Sequence, residues 1–214
     1  MTPRDELDQS YSNLIKRHLY DSIDTKERVV GRCVASIVLA AKAIAKAFST
    51  GHKVLLCGNG GSAADCQHIA AEFVNLLTLK NERPALPAIA LTTDSSIITA
   101  AANDFGYGNV FVRQIQALGQ PGDVLIGITT SGNSANVLAA CKTAKLQKMH
   151  TLVLTGDGGI CYSDEAVDII IGVPSEKTQF IQEAHITIGH ILCELVENML
   201  FPMRSPNDHK QNSI

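Results

Sequence analysis

The chain has little that would staple it, anchor it or charge it. Its six cysteines, at 33, 57, 66, 141, 161 and 193, form no C-x-x-C pair, and several lie inside apolar segments. They read as reduced, buried thiols of a cytoplasmic protein and exclude a secreted disulfide framework. No basic block accompanies the formal net charge of −3, so a nucleic-acid-binding surface is not expected. The longest apolar stretch, residues 29–48, is interrupted by Arg32, Lys42 and Lys46, which excludes a membrane span. The opening MTPRDELDQS lacks the basic-then-apolar order of a secretory leader. What remains is 214 residues with 45% hydrophobic and 18% charged side chains. That balance excludes intrinsic disorder, and a chain of this length buries roughly 70% of its unfolded surface without disulfides or metal staples.

The first 50 residues predict two helices. Pro3 and Asp5 suit a first turn, a break is expected at 22–25, and Asp24 with Glu27 has capping-box spacing. Apolar residues at 30, 33, 34, 37, 38, 41, 44, 45 and 48 then recur every three or four positions until Gly51. Beyond it, short apolar runs at 53–57, 88–91, 123–128, 151–154 and 167–173 read as strands buried on both faces. Helical patterns lie near 63–78, 109–118, 135–147 and 178–200, and another follows Thr92-Thr93-Asp94. This alternation predicts an α/β domain with a doubly wound parallel sheet of about five strands over residues 51–201. Helices at 1–50 should pack on the core and a subunit interface, and a polar tail covers 202–214.

Ligands of such sheets bind at the carboxyl ends of the strands. The first strand runs into Gly58-Asn59-Gly60-Gly61-Ser62-Ala63. Glycines there allow a tight turn that presents N–H groups to an anion at a helix start. The spelling G-x-G-x-x-A also fits a dinucleotide loop, but no acidic residue ends the second strand to hold a ribose, and no Gly-Lys-Ser/Thr makes it a Walker A loop. The competing reading is a plain turn. The strand ending at Ile128 enters Thr129-Thr130-Ser131-Gly132-Asn133-Ser134. Four hydroxyls at a helix N-terminus suit a phosphate monoester, although Ser134 could instead simply cap the helix. Two such loops on one sheet favour a phosphorylated, polyhydroxylated ligand.

These two motifs, Gly58 to Ser62 and Gly127 to Asn136, resemble the sugar isomerase (SIS) domain family and, within it, the bacterial phosphoheptose isomerases. The similarity runs from about residue 24 to about residue 201. It implies a flavodoxin-like SIS fold and a cytoplasmic homotetramer with active sites near subunit interfaces. The implied reaction converts sedoheptulose 7-phosphate to D-glycero-D-manno-heptose 7-phosphate for the lipopolysaccharide core.

His68 and Glu72 are four apart on the first loop's helix, hence on one face. Such a pair can hold a divalent metal or perform acid–base work, and a solvated polar pair is the alternative. On the last helix, Gln182, Glu183, His185 and His190 interrupt apolar neighbours. Periodicity alone would pair Glu183 with His190. The family pattern instead matches Gln182 and His190, with His68 and Glu72, as ligands of one zinc per subunit, and His185 reads as a core or interface histidine. The resemblance also places Asn103 and Asp104, expected just after a helix, by the sugar hydroxyls; an Asx turn is the competing reading. Gln179 stands where some relatives have an aspartate. The expected substrate contacts are Asn59, Gly60, Gly61, Ser62, Glu72, Asn103, Asp104, Thr129, Thr130, Ser131, Ser134 and Gln182, with Glu72 as base and His190 as acid.

A rival reading rests on a related SIS protein that acts as a binding module for the replication initiator DnaA. It resembles this chain at residues 83–91 and 200–202 but lacks the full His/Glu and His set.

Overall fold

The computed structural model describes residues 3–78, 82–157 and 165–202. The first element is α1 (Pro3–Ser49), one continuous helix rather than the two expected. Hydroxyl residues at the anticipated break do not stop it. Thr25 Oγ1 donates to the Asp21 carbonyl one turn back at 2.9 Å, Ser22 turns its hydroxyl to Glu183, and Asp24 pairs with Arg28 at i, i+4. The helix ends where Gly51 adopts φ +82°. Cys33, Ile37, Ala41 and Ile44 face the core, whereas Val30 and Val34 point outward and are exposed.

Five parallel strands follow: β1 (Val54–Gly58), β2 (Ala88–Ala90), β3 (Val124–Ile128), β4 (His150–Gly156) and β5 (Ile169–Val173). Their order is β2-β1-β3-β4-β5, the flavodoxin-like doubly wound order. One face of the sheet carries α1, α2 (Gly61–Val74) and α6 (Thr178–Leu200), and the other carries α3 (Ser95–Phe105), α4 (Val110–Leu118) and α5 (Ala135–Leu146). Helix α2 stops four residues before the sequence pattern does. Its last carbonyls, Glu72 O and Phe73 O, accept from Arg83, which arrives from the following segment. Cys33, Cys57, Cys66, Cys141 and Cys193 are free and buried, and burial pushes their thiols up. Cys161 and the tail from residue 203 lie outside the described residues.

The crossover that reverses the winding direction falls between β1 and β3. Their register sets Gly58 opposite Ile128. Both loops singled out in the sequence therefore leave the carboxyl ends of neighbouring strands at the topological switch point, where this architecture opens a crevice.

Candidate active site

Loop one is shaped by glycine. Gly60 takes φ 55°, ψ −124° as N-cap of α2, and no side chain caps that helix, so its first N–H groups face outward. A Cβ on Gly58 would lie 2.9 Å from the carbonyl oxygens of Ile128 and Ser62. A Cβ on Gly61 would lie 2.5 Å from Gln182 Nε2. Gln182 of α6 thus rests on the loop backbone, joining the first loop to the C-terminal helix.

Loop two is built from hydroxyls. Thr129 Oγ1 and Ser134 Oγ share a hydrogen bond of 2.9 Å, and the Asn133 N–H donates to Ser131 Oγ at 3.2 Å. Ser134 is the N-cap residue of α5 but makes no side-chain cap bond, so the simple capping role does not hold. The start of α5 is left open beside a cluster of neutral donors, which suits a dianionic group.

Two to three turns into α2, His68 and Glu72 meet His190 of α6. His190 Nε2 lies 2.9 Å from His68 Nε2, and Glu72 Oε1 lies 3.3 Å from His68 Nε2. The ligand atoms of the three residues fall within 4.8 Å of one another. Close approach of the helices makes this possible: Gly189 packs so tightly that a Cβ there would sit 2.6 Å from Ile69 Cδ1. Two imidazole nitrogens facing each other beside a carboxylate gather three groups with metal-ligating lone pairs around one point; one ring can donate its N–H to the other, or a cation can sit between them. The N, N, O donor set is one that zinc takes.

Glu183, the partner that periodicity offered to His190, is held elsewhere. It accepts from Ser22, lies 3.5 Å from Lys26 Nζ and 3.4 Å from His18 Nε2, all on α1, and these neighbours hold its carboxyl below the usual range, Ser22 foremost. His185 is fully buried with Nε2 3.1 Å from the Thr155 carbonyl, and burial pushes it down to about 4. It is a core histidine. Asn103 and Asp104 lie inside the last turn of α3 rather than after it. Asn103 donates to Asp104 at 2.8 Å, both are exposed, and neither bonds to the two loops among the described residues.

Asn136 was missed as a site residue. It is only 4% exposed and pairs with Asn59 across the two loops. The one signal available was a carboxamide in the first turn of a helix behind a hydroxyl loop.

A flavodoxin-ordered sheet with a glycine loop and a hydroxyl loop at its switch point defines the SIS class of sugar-phosphate-handling domains. The profile of the SIS domain family matches residues 18–156. A phosphoheptose isomerase of Roseiflexus sp. (strain RS-1) is 50% identical over 192 residues, covering 90% of this chain and 96% of that protein. One from Maridesulfovibrio salexigens is 48% identical over 200 residues, covering 91% and 94%. The structure of the Neisseria gonorrhoeae phosphoheptose isomerase superposes with a TM-score of 0.80 at 41% identity, covering 88% of this chain and 99% of that one. The chain belongs to the SIS domain family and, within it, to the phosphoheptose isomerases; it is an isomerase.

Proposed function

We propose that the enzyme interconverts sedoheptulose 7-phosphate and D-glycero-D-manno-heptose 7-phosphate in the cytoplasm, supplying heptose for lipopolysaccharide core. The convergence of His190 with His68 and Glu72 of the helix that leaves loop one carries this reading. Aldose–ketose isomerisation moves a proton between neighbouring carbons through a cis-enediol. It needs a base at carbon, an acid at oxygen and support for the enediolate. Glu72 removes the C1 proton of the ketose and delivers a proton to C2, while His190 serves the carbonyl and hydroxyl oxygens. Thr129, Thr130, Ser131 and Ser134 hold the phosphate. The backbone of Gly60, Gly61 and Ser62, with Asn59 and Gln182, lines the sugar, and Asn103 and Asp104 reach its hydroxyls.

His68, Glu72, Gln182 and His190 would hold one zinc per subunit. When bound, that ion supplies a Lewis-acid charge at the carbonyl oxygen. A metal-bound carboxylate is a weaker base, so the two roles of Glu72 trade against each other. Helix α1 supports a homotetramer: Leu7, Tyr11, Ile15, Leu19, Ile23, Val30 and Val34 are exposed apolar side chains in a band that winds round it, and exposed apolar surface of this kind marks interfaces.

The test is turnover of sedoheptulose 7-phosphate by protein purified without a histidine tag, with its metal content measured. About one zinc per chain, activity lost to chelator and restored by zinc, is expected. Full chelator-insensitive turnover would remove the zinc and leave Glu72 and His190 as a plain acid–base pair. Absence of turnover would overturn the function.

A further inference from the structure

The carboxamides of Asn59 in loop one and Asn136 at the start of α5 face each other in a closed pair. Asn59 Nδ2 donates to Asn136 Oδ1 at 2.9 Å, and Asn136 Nδ2 returns the bond to Asn59 Oδ1 at 2.9 Å. The Val137 N–H, an obligate donor, fixes which end of the Asn136 amide is oxygen, the reciprocal pair then fixes Asn59, and the Tyr107 hydroxyl suits that choice. Tyr107 Oη donates to Asn59 Oδ1 at 3.1 Å, and the Val137 N–H donates to Asn136 Oδ1 at 3.0 Å. Both lone-pair directions of each amide oxygen are therefore used by the protein. Neither oxygen is left to accept from a sugar hydroxyl.

A half-buried amide pair of this kind is directional and short, and it spans residues 77 apart in sequence. The backbone ladder joins β1 to β3 only as far as Gly58 and Ile128. Beyond that point the two loops diverge, one toward α2 and the other toward α5. Among the described residues, the Asn59–Asn136 pair is the side-chain hydrogen bond that ties them together.

We infer that Asn136 is a positioning residue that sets the span between the glycine loop and the hydroxyl loop, and with it the length of sugar phosphate that fits. This rests on the reading that the hydroxyl loop takes the phosphate and the glycine loop the sugar. A ligand anchored at both ends feels the span; a free phosphate ion, held by one loop, does not. Tyr107, more than half exposed, steadies the same oxygen from the turn after α3 and should act weakly in the same direction.

The experiment compares wild type, Asn136→Ala and Tyr107→Phe in steady-state isomerisation of sedoheptulose 7-phosphate, with inorganic phosphate as competing inhibitor. Thermal unfolding confirms that each variant is folded. For Asn136→Ala, kcat/KM should fall by about tenfold or more, the scale of one to two lost hydrogen bonds, while the inhibition constant of phosphate stays within about twofold. Tyr107→Phe, which removes an exposed partner and tests the idea even if Asn136→Ala fails to fold, should show a smaller loss with phosphate inhibition unchanged. A rise in the phosphate constant parallel to the loss of kcat/KM would make Asn136 a local support of its own loop and overturn the inference. So would unchanged kinetics in both variants. A wild type that turns over no sugar phosphate would instead bring down the functional reading beneath it.

Discussion

His185 occupies the core side of α6 with one ring nitrogen on the Thr155 carbonyl and its Nδ1 buried without a partner. Its value in the fold, about 4, lies below the ordinary 6.5 because burial disfavours the cation. Between those values the unfolded chain binds the proton and the folded chain does not. Stability from this group is thus fully present above pH 6.5, drains as pH falls toward 4, and loses nothing further below that. The drain amounts to roughly 3 kcal/mol. Asp21 and Asp168, whose carboxyls are held below their ordinary 3.8, withdraw their contributions only at lower pH. Urea unfolding at pH 6.5 and 4.5 should show the loss, and His185→Gln should flatten it; an equal slope in the variant would contradict the assignment. At this scale the sequence was uneven in what it disclosed. His68 and Glu72 could be paired from helix spacing, because that contact is local. The Asn59–Asn136 pair could not, since no periodicity reports a contact between two loops.

Among the elements, α2 and α6 matter most, and a buried ion pair locks their register. The Arg83 side chain is 0% exposed and that of Glu197 5%. Arg83 Nε donates to Glu197 Oε1 at 2.8 Å, while its Nη atoms donate to the carbonyls of Glu72, Phe73 and Pro84. The guanidinium therefore caps the C-terminal end of the helix that carries Glu72 and fastens it to the helix that carries His190. Arg83→Met alone leaves Glu197 buried and without its charge partner, at an expected cost of about 3–5 kcal/mol, whereas adding Glu197→Met should recover the part due to that charge but not the part due to the uncapped carbonyls of Glu72 and Phe73. Denaturant unfolding at matched protein concentration reads both; a double variant no more stable than the single one would contradict the account. Helix existence was legible, but ends were not. Arg83 shortens α2 through a contact 10 residues away, and α1 runs through residues 22–25 because their hydroxyls bond back along the helix and across to Glu183.

For the whole molecule, strand–helix alternation was enough to specify a doubly wound parallel sheet. The resemblance implied a flavodoxin-like fold, but the order β2-β1-β3-β4-β5 is read from the structure, because apolar runs of similar length do not say which neighbour each one takes. Apolar periodicity in α1 likewise did not separate the inward face at Cys33, Ile37 and Ile44 from the outward band. Its residues extend over about 40 Å of α1 at the rise of an α-helix, and large apolar side chains left exposed over such a length suit an interface. Light scattering should report four chains per particle, and Ile15→Glu combined with Leu19→Glu should give a smaller species; a monomeric wild type would contradict the tetramer.

The central claim, that Glu72 moves a carbon-bound proton in a sugar phosphate, is tested most directly by proton NMR of sedoheptulose 7-phosphate incubated with the enzyme in D2O. Conversion to the aldose with deuterium entering at C2 is the expected result for the wild type. For Glu72→Gln, which keeps size and loses the base, the rate should fall by several orders of magnitude with ligand binding largely kept. Wild-type-like conversion by Glu72→Gln, or none by the wild type, would contradict the account.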